Sequence, residues 1–205
     1  MAITSKQVVL RNVRIAFIQQ LWTAGKAANA SPSAKAKFNC TFLIEKGSDN
    51  DKAIQKAIVA ATNEKFKANA QFLRDKIKGN SNTCCYIEGD MCRSGDGKIY
   101  DGFEGKMALR AGRYEQDGPP QIVTARNIPV GQGQPGAPYG GCYVNAIVEP
   151  FAYDNVNKGV SCGLVLVQFA KDGDSFGGAS RAAADALPAI EEAEESNGFD
   201  EDMAF

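Results

Sequence analysis

Apolar and polar positions alternate along much of this chain with the two-residue period of a half-buried β-strand. Over residues 37–45, Phe38, Cys40, Phe42 and Ile44 share one face, and Lys37, Asn39, Thr41 and Glu45 lie opposite. Residues 8–18 also read as extended, but the phase slips. Val8 and Leu10 are at even positions, and Val13, Ile15 and Phe17 at odd ones. A bulge near Arg11 and Asn12 reconciles the halves, and such a bend helps a long strand curl into a small barrel. Residues 142–149 and 160–170 predict two more strands. Their connection, 151–159, carries the turn formers Asp154, Asn155, Asn157 and Gly159. Shorter strands are predicted at 83–88, 106–111 and 121–126.

One stretch switches to helical spacing. Ser48 is an N-cap followed by Asp49 and Asp51, and Ile54, Ala57, Ile58 and Ala61 form a stripe. Phe66, Leu73 and Ile77 continue it after a longer step, which predicts a kink or break near Asn63. Gly79 ends the helix. Its polar face, rich in lysine, reads as a solvated surface of a helix packed on the barrel rather than a nucleic-acid contact.

Two loops are rich in Gly and Pro, at 23–36 and 129–141. Gly131, Gly133 and Gly136 spell G-x-G-x-x-G, but a dinucleotide loop needs a helix opening inside it. Pro129, Pro135 and Pro138 forbid that helix. Asp96-Gly97-Lys98 and Asp172-Gly173-Asp174 imitate calcium loops without the bidentate glutamate, and both read as hairpin turns.

Composition narrows the function. At 205 residues, 44% hydrophobic and 23% charged, the chain suits one domain with a tail. We place the domain at 1–178 and a disordered acidic tail at 179–205. No apolar run is long enough for a membrane helix and no secretory signal is visible, so a cytosolic location with reduced thiols is expected. The six cysteines include no C-x-x-C pair, and histidine is absent. Neither a metal site nor a cofactor is expected, and no histidine-based catalytic device is possible. A nuclease built from carboxylates such as Glu88 and Asp90, or an accessory recombination enzyme, is the alternative. A structural protein that binds no nucleic acid is a third reading.

The net charge of −1 hides an asymmetry. Residues 172–205 hold ten acids and one base, Arg181, for −9, whereas residues 1–171 hold 22 bases and 14 acids, for +8. A basic body with an acidic tail points to a polyanion on the body and a tail that competes for the same surface. Single-stranded DNA is held by cations along its phosphates and by rings stacked on its bases. The body offers such pairs. Arg93, Tyr100 and Lys106 lie close in sequence, and Arg110 and Arg113 flank Tyr114. Arg126 precedes the second Gly-rich loop, and Tyr139 and Tyr143 follow it. Trp22 closes the first strand region, with Lys35 in the first loop and Lys37 beside it. These are the candidate DNA-binding residues.

Two stretches carry a resemblance. Residues 140–178, reading GGCYVNAIVEPFAYDNVNKGVSCGLVLVQFAKDGDSFGG, and the opening VLRNVRIAF at 9–17 resemble a tailed-phage family first catalogued as a domain of unknown function. That family is described as OB-fold single-stranded DNA-binding proteins. The resemblance implies a mainly β fold with one or two helices, built as a five-stranded Greek-key barrel with insertions. It also implies coating of single-stranded DNA in the cytoplasm of an infected bacterial host; weaker binding to duplex is expected separately, because attraction to phosphates does not distinguish strands. The closing residues are similar to the acidic, phenylalanine-ended tips of phage and bacterial single-strand binders. Asp200, Glu201, Asp202 and Phe205 are thereby implied to engage replication or recombination proteins. Bacterial tips place proline before the phenylalanine; Ala204 here points to a phage-encoded partner.

Overall fold

The computed structural model describes residues 4–26, 30, 31 and 33–176. The expected tail, with Asp200, Glu201, Asp202 and Phe205, lies outside the described residues.

The first strand, β1 (Val8–Ala16), carries the expected bulge. Its pairing slips between Leu10 and Val13, and Asn12 adopts φ +53°, a left-handed conformation that asparagine tolerates. The backbone groups released there are recaptured by side chains. Asn145 Oδ1 accepts from the Asn12 N–H at 3.0 Å, and the Asn50 amide both accepts from and donates to the Arg11 backbone. The slip keeps Leu10, Val13 and Ile15 all buried despite their change of parity.

A short helix, α1 (Gln19–Trp22), leads towards β2 (Lys37–Glu45), which lies where the alternation places it. The long helix α2 (Asp49–Phe66) starts at Ser48, whose side chain accepts from the Asp51 N–H. Buried Asp51 also accepts from Gly47, Gln55 and the Tyr86 hydroxyl, tying the helix start to β3 (Tyr86–Glu88). The helix breaks at Lys67 (φ +49°), four residues beyond the expected kink, and resumes as α3 (Ala70–Ile77). Arg74 bridges the break through Thr62 and Asn63.

Four more strands follow: β4 (Lys106–Tyr114), β5 (Gln121–Val123), β6 (Tyr143–Asp154) and β7 (Lys158–Lys171). β6 and β7 run further than expected. Phe151 to Asp154 are not loop but pair with Ser161 to Lys158, leaving a three-residue connection, 155–157. Turn-forming residues mark the tip of this hairpin; they do not mark where its ladder stops. Asp96-Gly97-Lys98 is a turn as expected, with the Gly97 N–H on Ser94 O. Asp172-Gly173-Asp174 is not a hairpin. The chain there runs across the barrel end, where the Phe176 N–H bonds Gly140 O.

Antiparallel pairs join β1 to β2 and β6, β2 to β4, and β6 to β7. A parallel contact between Gly112 of β4 and Gly163 of β7 closes the ring. Around the barrel the order is β1-β2-β4-β7-β6. At Gly112 a Cβ would stand 3.0 Å from the carbonyl oxygen of Phe38 on β2, so glycine suits the close approach of β4 to β2 at this point. The rest of that edge of β7 is covered by Cys84 and Cys85 on one side and by β5 on the other. Phe42, Ile44, Leu109, Val144, Val148 and Leu164 fill the interior, with Cys40 and Cys162 as small apolar residues among them.

Candidate nucleic-acid interface

The outward residues of β2 and β4 face one another across the ladder. Lys37 pairs with Tyr114, Asn39 with Gly112, and Thr41 with Arg110. Ring closure then sets β7 beside β4, and the hairpin brings β6 next. On β6 the outward residues Glu149 and Phe151 stand opposite Gly163 and Ser161. The result is a cleft of roughly 1020 Å³ running from Phe17, across β2 and β4, to Phe151 and Tyr153.

The cations of this cleft are oriented by carbonyl oxygens and a ring, with Asp117 and Glu149 also in its lining. Arg110 donates to the carbonyl oxygens of Cys84 (2.8 Å) and Ser81, and Arg113 to those of Gly118 (2.9 Å) and Asp117 (2.6 Å). The Lys37 ammonium sits 4.4 Å from the centre of the Tyr114 ring. Among the described residues, none of the three has a carboxylate partner. Carbonyl oxygens fix a guanidinium but leave its full charge available to an anion. Rings flank these charges: Tyr114 is 40% and Phe151 44% exposed. At the far end Phe17 stacks edge-on with Tyr100, centroids 4.9 Å apart, and packs on buried Phe103. Burial, followed by the nearby Cys85 and Cys84, pushes the Tyr153 hydroxyl up, so it stays a neutral donor.

Four of the sequence candidates line this cleft: Lys37, Arg110, Arg113 and Tyr114. Tyr100 borders it through Phe17, and Lys35 borders it through a bond to Gln116 near Tyr114. The others lie elsewhere. Lys106 is paired with Glu45 at 2.8 Å, and Arg93 is folded onto Gly97 O in its own hairpin. Arg126 sits in the exposed turn after β5. Trp22 is half-buried against the core. Tyr143 starts β6 roughly 26 Å along the strand from Phe151, at ~3.3 Å per residue. It stands between Arg14 and Lys171. Tyr139 is tied to Asp172 and Gly173 near that end.

Phe17, Asn39, Phe151, Tyr153 and Ser161 are cleft residues that the sequence reading did not single out. The helix lysines do not line the cleft. Glu88 and Asp90 both face Lys46, and no group of three metal-binding side chains occurs among the described residues. No helix there is long and apolar enough to cross a membrane.

A closed five-stranded barrel in this order, with its cleft across the second and third barrel strands, has the architecture of an OB-fold. Members of that fold bind oligonucleotides and oligosaccharides on the same face. The chain matches over residues 6–198 the family described as Enterobacter phage Enc34, ssDNA-binding protein, and it belongs to that family. It is 35% identical over 191 residues to protein p50 of Acyrthosiphon pisum secondary endosymbiont phage 1, covering 92% of this chain and 96% of p50. Among solved structures it is similar in fold to the single-stranded DNA-binding protein of bacteriophage Enc34 in complex with ssDNA. That match has 20% identity and a TM-score of 0.64, and covers 85% of this chain and 91% of the other. A second structure of the Enc34 protein gives a TM-score of 0.62 at 20% identity, covering 89% and 90%.

Proposed function

We propose that this chain coats and protects single-stranded DNA during phage replication or recombination in the cytoplasm of an infected bacterial host. The strand lies along the cleft across β2, β4 and the β6–β7 hairpin. The observation that carries this reading is the grouping, in one open groove, of two arginines held by carbonyl oxygens and a lysine over the Tyr114 ring, with exposed rings on both walls. Membership of the family, and the Enc34 relative solved with ssDNA, support the choice of ligand.

In this reading Lys37, Arg110 and Arg113 meet phosphates. Tyr114 and Phe151 stack on bases, and Phe17 with Tyr100 closes the end of the track. Stacking tolerates any base, because every base has a π-face. Lys35, Arg93, Lys106 and Arg126 lie outside the cleft and add only to the general attraction, which gives weaker binding to duplex. No bond is made or broken. Residues 172–205, at −9, compete with DNA for the +8 body and, once displaced, recruit replication or recombination proteins.

The test is photocrosslinking of an oligonucleotide carrying 5-iodouracil to the full-length protein, with the labelled peptides mapped. Crosslinks at Phe17, Tyr114 or Phe151 are expected. Crosslinks confined to Tyr139 and Tyr143 would place the strand at the opposite barrel end. Shortening of the oligonucleotide with Mg²⁺ would replace coating by the nuclease alternative.

A further inference from the structure

A second concavity, of about 700 Å³, lies between α3 and the tip of the β6–β7 hairpin. Phe66, Leu73 and Ile77 form its apolar side, and Lys76 and Lys158 stand at its edge. Two of its residues are open to an unusual degree: Phe72 is 72% exposed and Val156 fully exposed. Thr83 lines both this groove and the DNA cleft, so the two share a wall. Its hydroxyl is buried and has no hydrogen-bond partner among the described residues.

We infer that this groove receives the chain's own acidic segment, residues 200–205, with Phe205 on the apolar side and Asp200, Glu201 and Asp202 against the lysines. The inference rests on the reading that the acidic tail returns to the body, and it gives that return a docking point beside the cleft. Charge chooses among occupants. A second copy docking by the same face would bring Lys76 and Lys158 against their equivalents. DNA is better served by the cleft, whose three cations have no carboxylate partner among the described residues; the groove offers only two lysines, of which Lys158 is shared with Asp154 at 3.3 Å and Lys76 carries more of the attraction to the acids. Segment 200–205 joins three acids to Met203 and Phe205, which matches an apolar pit with a basic edge. Reach permits it. The 24 residues from 177 to 200 span at most about 80 Å when extended, roughly twice the width of a domain this size. A segment anchored there holds Glu191 to Glu195 near the cleft cations at high effective concentration.

The test uses the full-length protein with Phe205→p-benzoylphenylalanine, irradiated without DNA and mapped by mass spectrometry. Crosslinks to 66–77 or 156–158 are expected. Phe72→Ser and Val156→Ser, both at exposed positions, should each lower their yield by about tenfold, corresponding to ~1.4 kcal/mol, without weakening poly(dT) binding. Crosslinks to Arg110, Tyr114 or Phe151 would overturn the groove as receptor and leave the cleft reading intact. Diffuse or absent crosslinks would overturn it too. Weaker poly(dT) binding by Phe72→Ser would make the groove part of the DNA path instead.

Discussion

Replacing Phe151 by leucine separates stacking from packing at the hairpin wall. The residue is 44% exposed, so of the roughly 200 Å² an aromatic side chain offers, about 110 Å² is covered by protein. At ~25 cal/mol per Å² that cover is worth up to about 3 kcal/mol. Alanine would therefore lower stability and affinity together and decide nothing. Leucine keeps most of the apolar contact and should cost under about 1.5 kcal/mol of stability. It removes the π-face; loss of the whole ring is worth about 1–3 kcal/mol per stacked base, so leucine, which keeps some apolar contact, should raise Kd towards the lower part of the corresponding range of roughly 5- to 150-fold. Anisotropy of a fluorescein-labelled dT oligonucleotide at fixed salt reads the affinity, and a thermal melt reads the fold. Wild-type affinity in a folded Phe151→Leu protein would refute the stacking role and move the strand off the hairpin.

Three further outcomes follow from the same geometry. If the strand meets about four to six phosphates, log Kobs against log salt should slope at roughly −3 to −4; a flat response between low and high salt contradicts phosphate tracking. Truncation after Gly178 should tighten poly(dT) binding, most visibly at low salt where attraction to the tail is least screened; equal or tighter binding by the full chain removes the competing tail. Burial alone would raise the Asp51 pKa, but bonds from Gly47, Gln55 and Tyr86 outweigh it and hold the carboxyl below its usual value. Its stabilisation is therefore full above about pH 4, the ordinary carboxylate value, and is lost as pH falls through the lower folded value. Asp51→Ala should cost about 2–3 kcal/mol at neutral pH, because the buried Tyr86 hydroxyl loses its acceptor, and a pH series of melts should show the difference from wild type shrinking in acid.

Where one face of a strand is buried, the sequence pattern was legible. The limits of β2 and the bulge at Asn12 follow from which positions are apolar, because a slip of one residue turns a whole strand inside out. The extent of the β6–β7 hairpin was not legible. Pro150 and the asparagines dominate local propensity there, whereas the pairing of Phe151 with Ser161 is a property of the ladder. The cleft was half legible. Lys37, Arg110, Arg113 and Tyr114 stand out as cations beside a ring, and β2–β4 pairing brings them together. Phe17 reads in sequence as an apolar strand residue, and Phe151 and Tyr153 fall in the expected connection; only closure at Gly112 and Gly163 puts the three on the same groove. Conversely, Tyr143 does meet cations, but they are Arg14 and Lys171 at the far barrel end, and Tyr139 is held there by Asp172 and Gly173.

The central claim is that the cleft recognises a strand whose bases are free to stack. Its most direct test is a titration of the full-length protein with poly(dT) and with a duplex of equal length, in the same buffer at physiological salt. Phosphate attraction acts on both ligands and favours the more densely charged duplex, so tighter binding of poly(dT) reports the contribution of the free bases. The account predicts that poly(dT) binds about fivefold or more tightly, since even one stacked base contributes about 1–3 kcal/mol. Duplex affinity equal to or above that for poly(dT) would contradict it.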